Sequence, residues 1–172
     1  MMTFEDFVRG LMAGDFSRLA PLYVDDKDGA ACSVILWFEQ ALFATEPEAL
    51  EEAFTCACFN GCTNVAAYLL ANEVEPCGGM RTGLNAFHWS ANRGQVSTVE
   101  LLIKHNCPLE SLNAYGGTVL GCAVWSAIHE SKPQHLEVIE SLLRAGANTD
   151  FVACPTGNDR IDNLIQGFRP KK

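Results

Sequence analysis

The sequence predicts an all-α fold, a short helical-repeat solenoid preceded by a divergent N-terminal helical cap. Three observations carry that expectation. Apolar residues recur at helical spacing in short runs, and glycines interrupt the runs. Displaced by 33 residues, the chain partly superimposes on itself. Its 48% apolar content is enough to bury a core and too much for a disordered chain. A length of 172 residues suits one ordinary domain or a short repeat array.

The elements follow in order. Phe4, Phe7, Val8, Leu11 and Met12 mark a helix ending near Gly14, and Phe16, Leu19, Leu22 and Tyr23 mark a second. Asp25-Asp26-Lys27-Asp28-Gly29 reads as a polar loop, and Cys32 to Phe43 as a third, strongly apolar helix. Residues 1–46 are therefore expected to form a helical cap or a divergent repeat, since terminal units must turn one face to water. The uncharged stretch Phe54–Asn72 is interrupted by Asn60-Gly61, which predicts two short helices rather than a membrane span. The self-similarity sets Gly61 on Gly94, Ala53 on Ala86, Phe54 on Phe87, Leu69 on Leu102 and Gly83 on Gly116. A further step of 40 sets Leu102-Ile103 on Leu142-Leu143, with the extra residues placed near Ser126–Pro133. Each unit reads as a helix pair: a first helix with a small apolar face, a glycine stop, then a second helix filled by Leu, Ile and Val. Residues 47–150 hold three such units. Asp159 to Phe168 is expected to form one more helix, over Leu142 and Leu143, within a closing segment 151–172 whose last residues, 169–172, should fray.

The stretch Gly83-Leu84-Asn85-Ala86-Phe87-His88-Trp89-Ser90-Ala91-Asn92-Arg93-Gly94 resembles the ankyrin repeat, whose signature is T-P-L-H-x-A in a 33-residue period. Val99-Glu100-Leu101-Leu102-Ile103 is similar to that family's second helix. Gly116-Gly117-Thr118-Val119-Leu120 and Leu142-Leu143-Arg144-Ala145-Gly146-Ala147-Asn148 look like the start and end of another copy. The chain departs from the pattern in places. Asn85 and Ala86 replace the Thr-Pro pair, and Thr55 and Gly121 replace the histidine that only the middle unit keeps. Gln134 takes the place of the third inter-helix glycine. The resemblance implies a stacked solenoid, with His88 hydrogen-bonding backbone to hold a turn.

Little in the sequence asks for catalysis. No phosphate loop, nucleophile elbow or dinucleotide fingerprint is present. The acid pairs Asp25-Asp26 and Glu51-Glu52 read as loop or helix-start residues. His129-Glu130 with His135 has the wrong spacing for a zinc protease, and Pro133 interrupts it. The eight cysteines follow no secretory leader, so they read as small apolar fillers in a reducing cytoplasm. One competing reading is a thiol-based metal or redox protein using Cys56, Cys58, Cys62 and Cys77, although that spacing matches no common zinc module. No cofactor, metal ligand or catalytic residue is expected.

Charge narrows the partner. The chain carries 21 acids and 12 bases, a net charge of −9, which disfavours nucleic acid and anionic membrane surfaces. Residues 1–46 hold eight acids and three bases, residues 47–110 seven and three, and residues 111–172 six of each. That distribution predicts a protein partner with a basic surface approaching the first two thirds, bound by a monomer; a purely structural subunit of a larger complex is the milder alternative. The resemblance implies binding on the concave side, through turn tips and exposed first-helix positions. Carried over by position, those are Arg81, Thr82 and Leu84 at one tip and Tyr115 at the next, with Trp89, Asn92, Arg93 and Trp125 on the first helices. Trp, Tyr and Arg are also the side chains most often found as binding hot spots.

Overall fold

A computed structural model describes residues 2–25, 31–130 and 132–169. Most of the expected polar loop (26–29), Ser131 in the third unit's insertion and the end of the tail (170–172) lie outside the described residues. Ten α-helices and three 3₁₀ turns make up the regular structure of the described residues.

Helix α1 (Phe4–Ala13) begins in a capping box, with the Thr3 side chain accepting from Asp6 N while the Asp6 carboxylate accepts from Thr3 N. It buries Phe7 and Leu11, one turn apart on one face. Helix α2 (Phe16–Leu19) is shorter than its apolar spacing suggests, because Pro21 removes an amide and the chain tightens into a 3₁₀ turn over Ala20–Tyr23. The third helix also stops early. Helix α3 spans Ser33–Glu39, Ala41 takes a φ of 57°, and Leu42–Thr45 form a second 3₁₀ turn. The break drives Phe43 into the core, where its ring packs edge-on against Phe4 at 5.0 Å and Phe7 at 6.4 Å. Long-range aromatic packing decides the backbone here over local helix preference.

Three helix pairs follow: α4 (Pro47–Phe59) with α5 (Thr63–Ala71), α6 (Ala86–Arg93) with α7 (Val96–Lys104), and α8 (Val119–His129) with α9 (Gln134–Arg144). First helices stack on first helices and second on second, giving two layers, with α1 packed on α4 at one end. At the other end α10 (Asp159–Phe168) packs on α9. The small faces expected of the first helices are present: Ala53, Ala57, Ala86, Ala91, Ala123 and Ala127 are buried between layers. One continuous core runs from Phe7 to Ile165.

Gly94 ends α6 at a φ of 73°, and a side chain there would press on the His135 ring at 3.3 Å. The third pair has no such glycine. His135 instead tucks under Gly94, and its Nε2 donates to the Asn92 carbonyl at 2.8 Å, pinning α9 to the end of α6. Glu51-Glu52 do not start a helix as their sequence context suggests. The helix begins at Pro47, and Glu52 is buried. No helix among the described residues is long and apolar enough to cross a membrane.

Candidate partner-binding groove

The loops that enter α6 and α8 project to one side of the stack and carry the candidate residues. Each is pinned from beneath. Under the first, Glu52 Oε1 accepts from Arg81 N at 2.9 Å and Glu51 Oε2 accepts from Gly79 N at 3.3 Å. A side chain at Gly79, whose φ is 67°, would run into Thr55 Oγ1 and the Glu51 carbonyl, so the loop can lie this close to α4 only as glycine. Under the second, His88 Nε2 reaches Ser111 O at 3.0 Å and Gly117 O at 3.2 Å. Carbonyl oxygens only accept, so Nε2 carries the proton. Burial lowers the ring's pKa from the usual histidine value, and its Nδ1 lies 2.7 Å from Asn85 Oδ1, so both ring nitrogens are engaged in holding the turn. Thr55, at the same repeat position, makes a weaker version of the tie, donating to Gly79 O at 3.4 Å.

The second tip is also braced internally. Asn113 Oδ1 accepts from Tyr115 N and Gly117 N, each at 2.9 Å, and Asn113 N donates to Gly117 O at 2.9 Å. Ala114 N donates to Gly83 O at 2.8 Å, which locks one tip to the next. Tyr115, 82% exposed, stands on this rigid turn.

Between the tips and the first helices lies an open cavity of about 480 Å³. Five of the eight predicted residues line it: Leu84, Trp89, Asn92, Tyr115 and Trp125. Asn113, Gly117, Gly121 and Cys122 complete the wall; Asn113 and Gly117 belong to the turn that composition announces, whereas nothing in the sequence pointed to Gly121 and Cys122 as lining. Trp125 is 55% exposed and stacks on His129, with ring centroids 4.3 Å apart, while His129 Nδ1 donates to the Trp125 carbonyl at 2.7 Å. Trp89 is held from both sides: its Nε1 donates to Thr82 Oγ1 at 2.8 Å and its ring meets Phe59 at 5.0 Å. Asn92 Nδ2 donates to Ser126 Oγ at 2.7 Å, tying α6 to α8 beneath the cavity.

The remaining three predicted residues stand beside the cavity. Thr82 supports Trp89. Arg81 is exposed, with its Nε donating to Met12 O at 3.3 Å. Arg93 lies with its guanidinium carbon 4.8 Å from the centroid of the Phe59 ring. Behind them the aromatic packing continues inward, buried Phe16 meeting half-buried Phe59 at 5.5 Å and Trp89 at 6.4 Å. The cavity lining carries no carboxylate, imidazole or ammonium group. Its chemistry is that of a receptor for an uncharged, bulky side chain.

The cysteines offer no comparable arrangement. Burial pushes the Cys56, Cys107 and Cys122 thiols up to about 12 and Cys58 well above its ordinary value. Cys56 Sγ donates to Phe16 O and Cys122 Sγ to His88 O, as buried fillers do. Among the described residues, no group of three or more Cys, His, Asp or Glu side chains is arranged to hold a metal ion.

A family model described as ankyrin repeats, in three copies, matches residues 54–153. No curated protein sequence matches the chain. The crystal structure of an ankyrin repeat domain from Acinetobacter baumannii is similar in fold, with a TM-score of 0.61 at 17% identity, covering 94% of this chain and 96% of that one. The chain belongs to the ankyrin repeat family.

Proposed function

We propose that the protein is a non-enzymatic interaction module that captures a protein partner in the groove between its loop tips and first helices. Residues 47–150 supply the three repeats, residues 1–46 cap one end, and residues 151–172 close the other. The observation that carries this reading is the aromatic cavity, with Trp89, Tyr115 and Trp125 around about 480 Å³ of open space on a backbone braced at every turn. Ankyrin repeats generally serve as protein-interaction modules, and exposed Trp and Tyr held rigidly lose little freedom on binding. The domain then acts as a monomer in the cytoplasm.

Site-specific photo-crosslinking in cells tests the reading. A photoreactive phenylalanine analogue in place of Tyr115 is expected to trap a discrete partner, and Trp125→Ala should reduce the adduct roughly tenfold or more, as for a hot spot. The same analogue in place of Glu100, exposed on the second helix of the middle repeat, serves as control. Adducts at position 100 and none at 115 would move the interface to another face.

A further inference from the structure

Arg93 is a cation held against the aromatic side of the groove. The four ion pairs among the described residues are Arg9–Asp6, Arg18–Asp15, Lys132–Glu130 and Arg144–Glu140, all local. Arg93 takes part in none of them, nor do Arg81, Lys104, Arg160 and Arg169; of these five, Arg81 and Arg93 stand at the groove. The Arg93 Nε is buried and lacks a hydrogen-bond partner. Its guanidinium carbon sits 4.8 Å from the Phe59 centroid, and Phe59 in turn packs on Trp89, one turn before Arg93 on α6. The stacking fixes the plane and strips part of its water, and a desolvated guanidinium without a counter-charge is costly. A carboxylate brought by another molecule would restore the missing bonds in a bidentate geometry.

The charge pattern of the groove agrees. At the tip positions 80–84 and 113–117 and the first-helix positions 59, 60, 89, 92, 93, 125 and 126, the sequence has two arginines, Arg81 and Arg93, and no acid. The acid excess of the chain lies elsewhere, and Glu51 and Glu52 are committed to backbone amides beneath the first tip. The groove's own side chains favour an acidic partner segment, whereas the net charge of the whole chain favours a basic one.

Resting on the groove reading above, we infer that the partner presents an acidic segment, with a carboxylate for Arg93 and, a few residues away, a bulky apolar or aromatic side chain for the Trp89–Tyr115–Trp125 cavity. Electrostatic complementarity at the cation then sets specificity, and the cavity supplies the anchor.

The test is selection of a displayed library of random 12-residue peptides on the full chain and on two variants, Arg93→Glu and Trp125→Ala, each first shown to melt in one transition. The wild type should enrich Asp or Glu beside an aromatic or large aliphatic residue. Arg93→Glu should keep the apolar anchor and switch the enriched charge to Lys or Arg. A selected acidic peptide should bind Arg93→Glu at least roughly tenfold more weakly, the scale of one charge-assisted hydrogen bond. If Arg93→Glu does not fold, Arg93→Gln replaces it, and the acid preference should vanish. A basic or uncharged consensus that Trp125→Ala abolishes would overturn this inference and leave the groove reading standing. A consensus indifferent to Trp125→Ala, or no enrichment, would overturn both.

Discussion

Glu52 shows how far a single residue can sit from its sequence context. It is 1% exposed; Oε1 accepts from Arg81 N, and Oε2 is buried without a partner. Burial is the main reason its carboxyl group titrates above the ordinary 4.5, with the Glu51 and Glu48 charges adding to the rise and the Arg81 amide and charge opposing it. The folded protein therefore holds a proton at pH values where the unfolded chain has lost it. The stabilisation from this group is complete below pH 4.5 and is lost as pH rises through the raised value. Glu52→Gln removes that titration while keeping an oxygen for the Arg81 amide. The difference in melting temperature, variant minus wild type, should grow as pH rises from 4.5 towards 8. A difference flat across that range would show that Glu52 titrates normally. Two adjacent glutamates gave no sequence signal of this, because burial of the second follows from where α4 meets the loop at residues 79–81. His88 was legible, since its role comes from a local motif, and its contacts to Ser111 and Gly117 fall one repeat later as that motif requires.

Among elements, the helix pairs of the repeats were readable and the N-terminal ones only partly so. Gly61 and Gly94 stop helices by a local rule, with φ of 69° and 73°. The early ends of α2 and α3 depend on Pro21 and on Phe43 seeking Phe4 and Phe7, and a distant aromatic contact leaves no trace in local spacing. The loop tip at 113–117 lies between these cases. Its composition announces a turn, but its rigidity comes from one side-chain oxygen, Asn113 Oδ1, serving two amides. Asn113→Ala should accordingly speed amide hydrogen exchange at Tyr115 and Gly117 and leave exchange in α6 and α8 unchanged. The stability lost should be about 1–3 kcal/mol for the two bonds at this partly exposed site. A groove-binding peptide should dissociate faster, because Tyr115 would lose its fixed position. Unchanged exchange at both amides would show that the Asn113–Gly117 and Ala114–Gly83 backbone bonds alone hold the tip.

For the whole molecule, the sequence made the solenoid legible and left open how the N-terminal segment meets it. Repeat periodicity exposes contacts between neighbouring units, and residues 2–25 have no such register. Their contacts reach the first-helix layer and the loop before α6: Phe16 reaches Phe59 and Trp89, Tyr23 Oη donates to Ala53 O at 2.9 Å, and Arg81 Nε donates to Met12 O. Repeat proteins can melt unit by unit when interfaces are weak. Here the core is continuous from Phe7 through Val34, Phe54, Leu102 and Ile139 to Ile165, and buried Phe16 of the N-terminal segment supports Phe59 and the groove's Trp89. The segment and the repeats should therefore unfold together. Single-tryptophan variants separate the possibilities, one keeping Trp37 within the N-terminal aromatic cluster and the other Trp89 in the groove, with phenylalanine at the other two sites. In urea the two fluorescence transitions should share the midpoint of the helical circular dichroism measured on the same variant. A Trp37 transition that precedes the loss of helix would make the N-terminal segment a separately melting unit. In that event the groove would persist after the segment opens, and peptide binding monitored by Trp89 would survive the first transition, whereas a shared midpoint ties the partner site to the integrity of the whole stack.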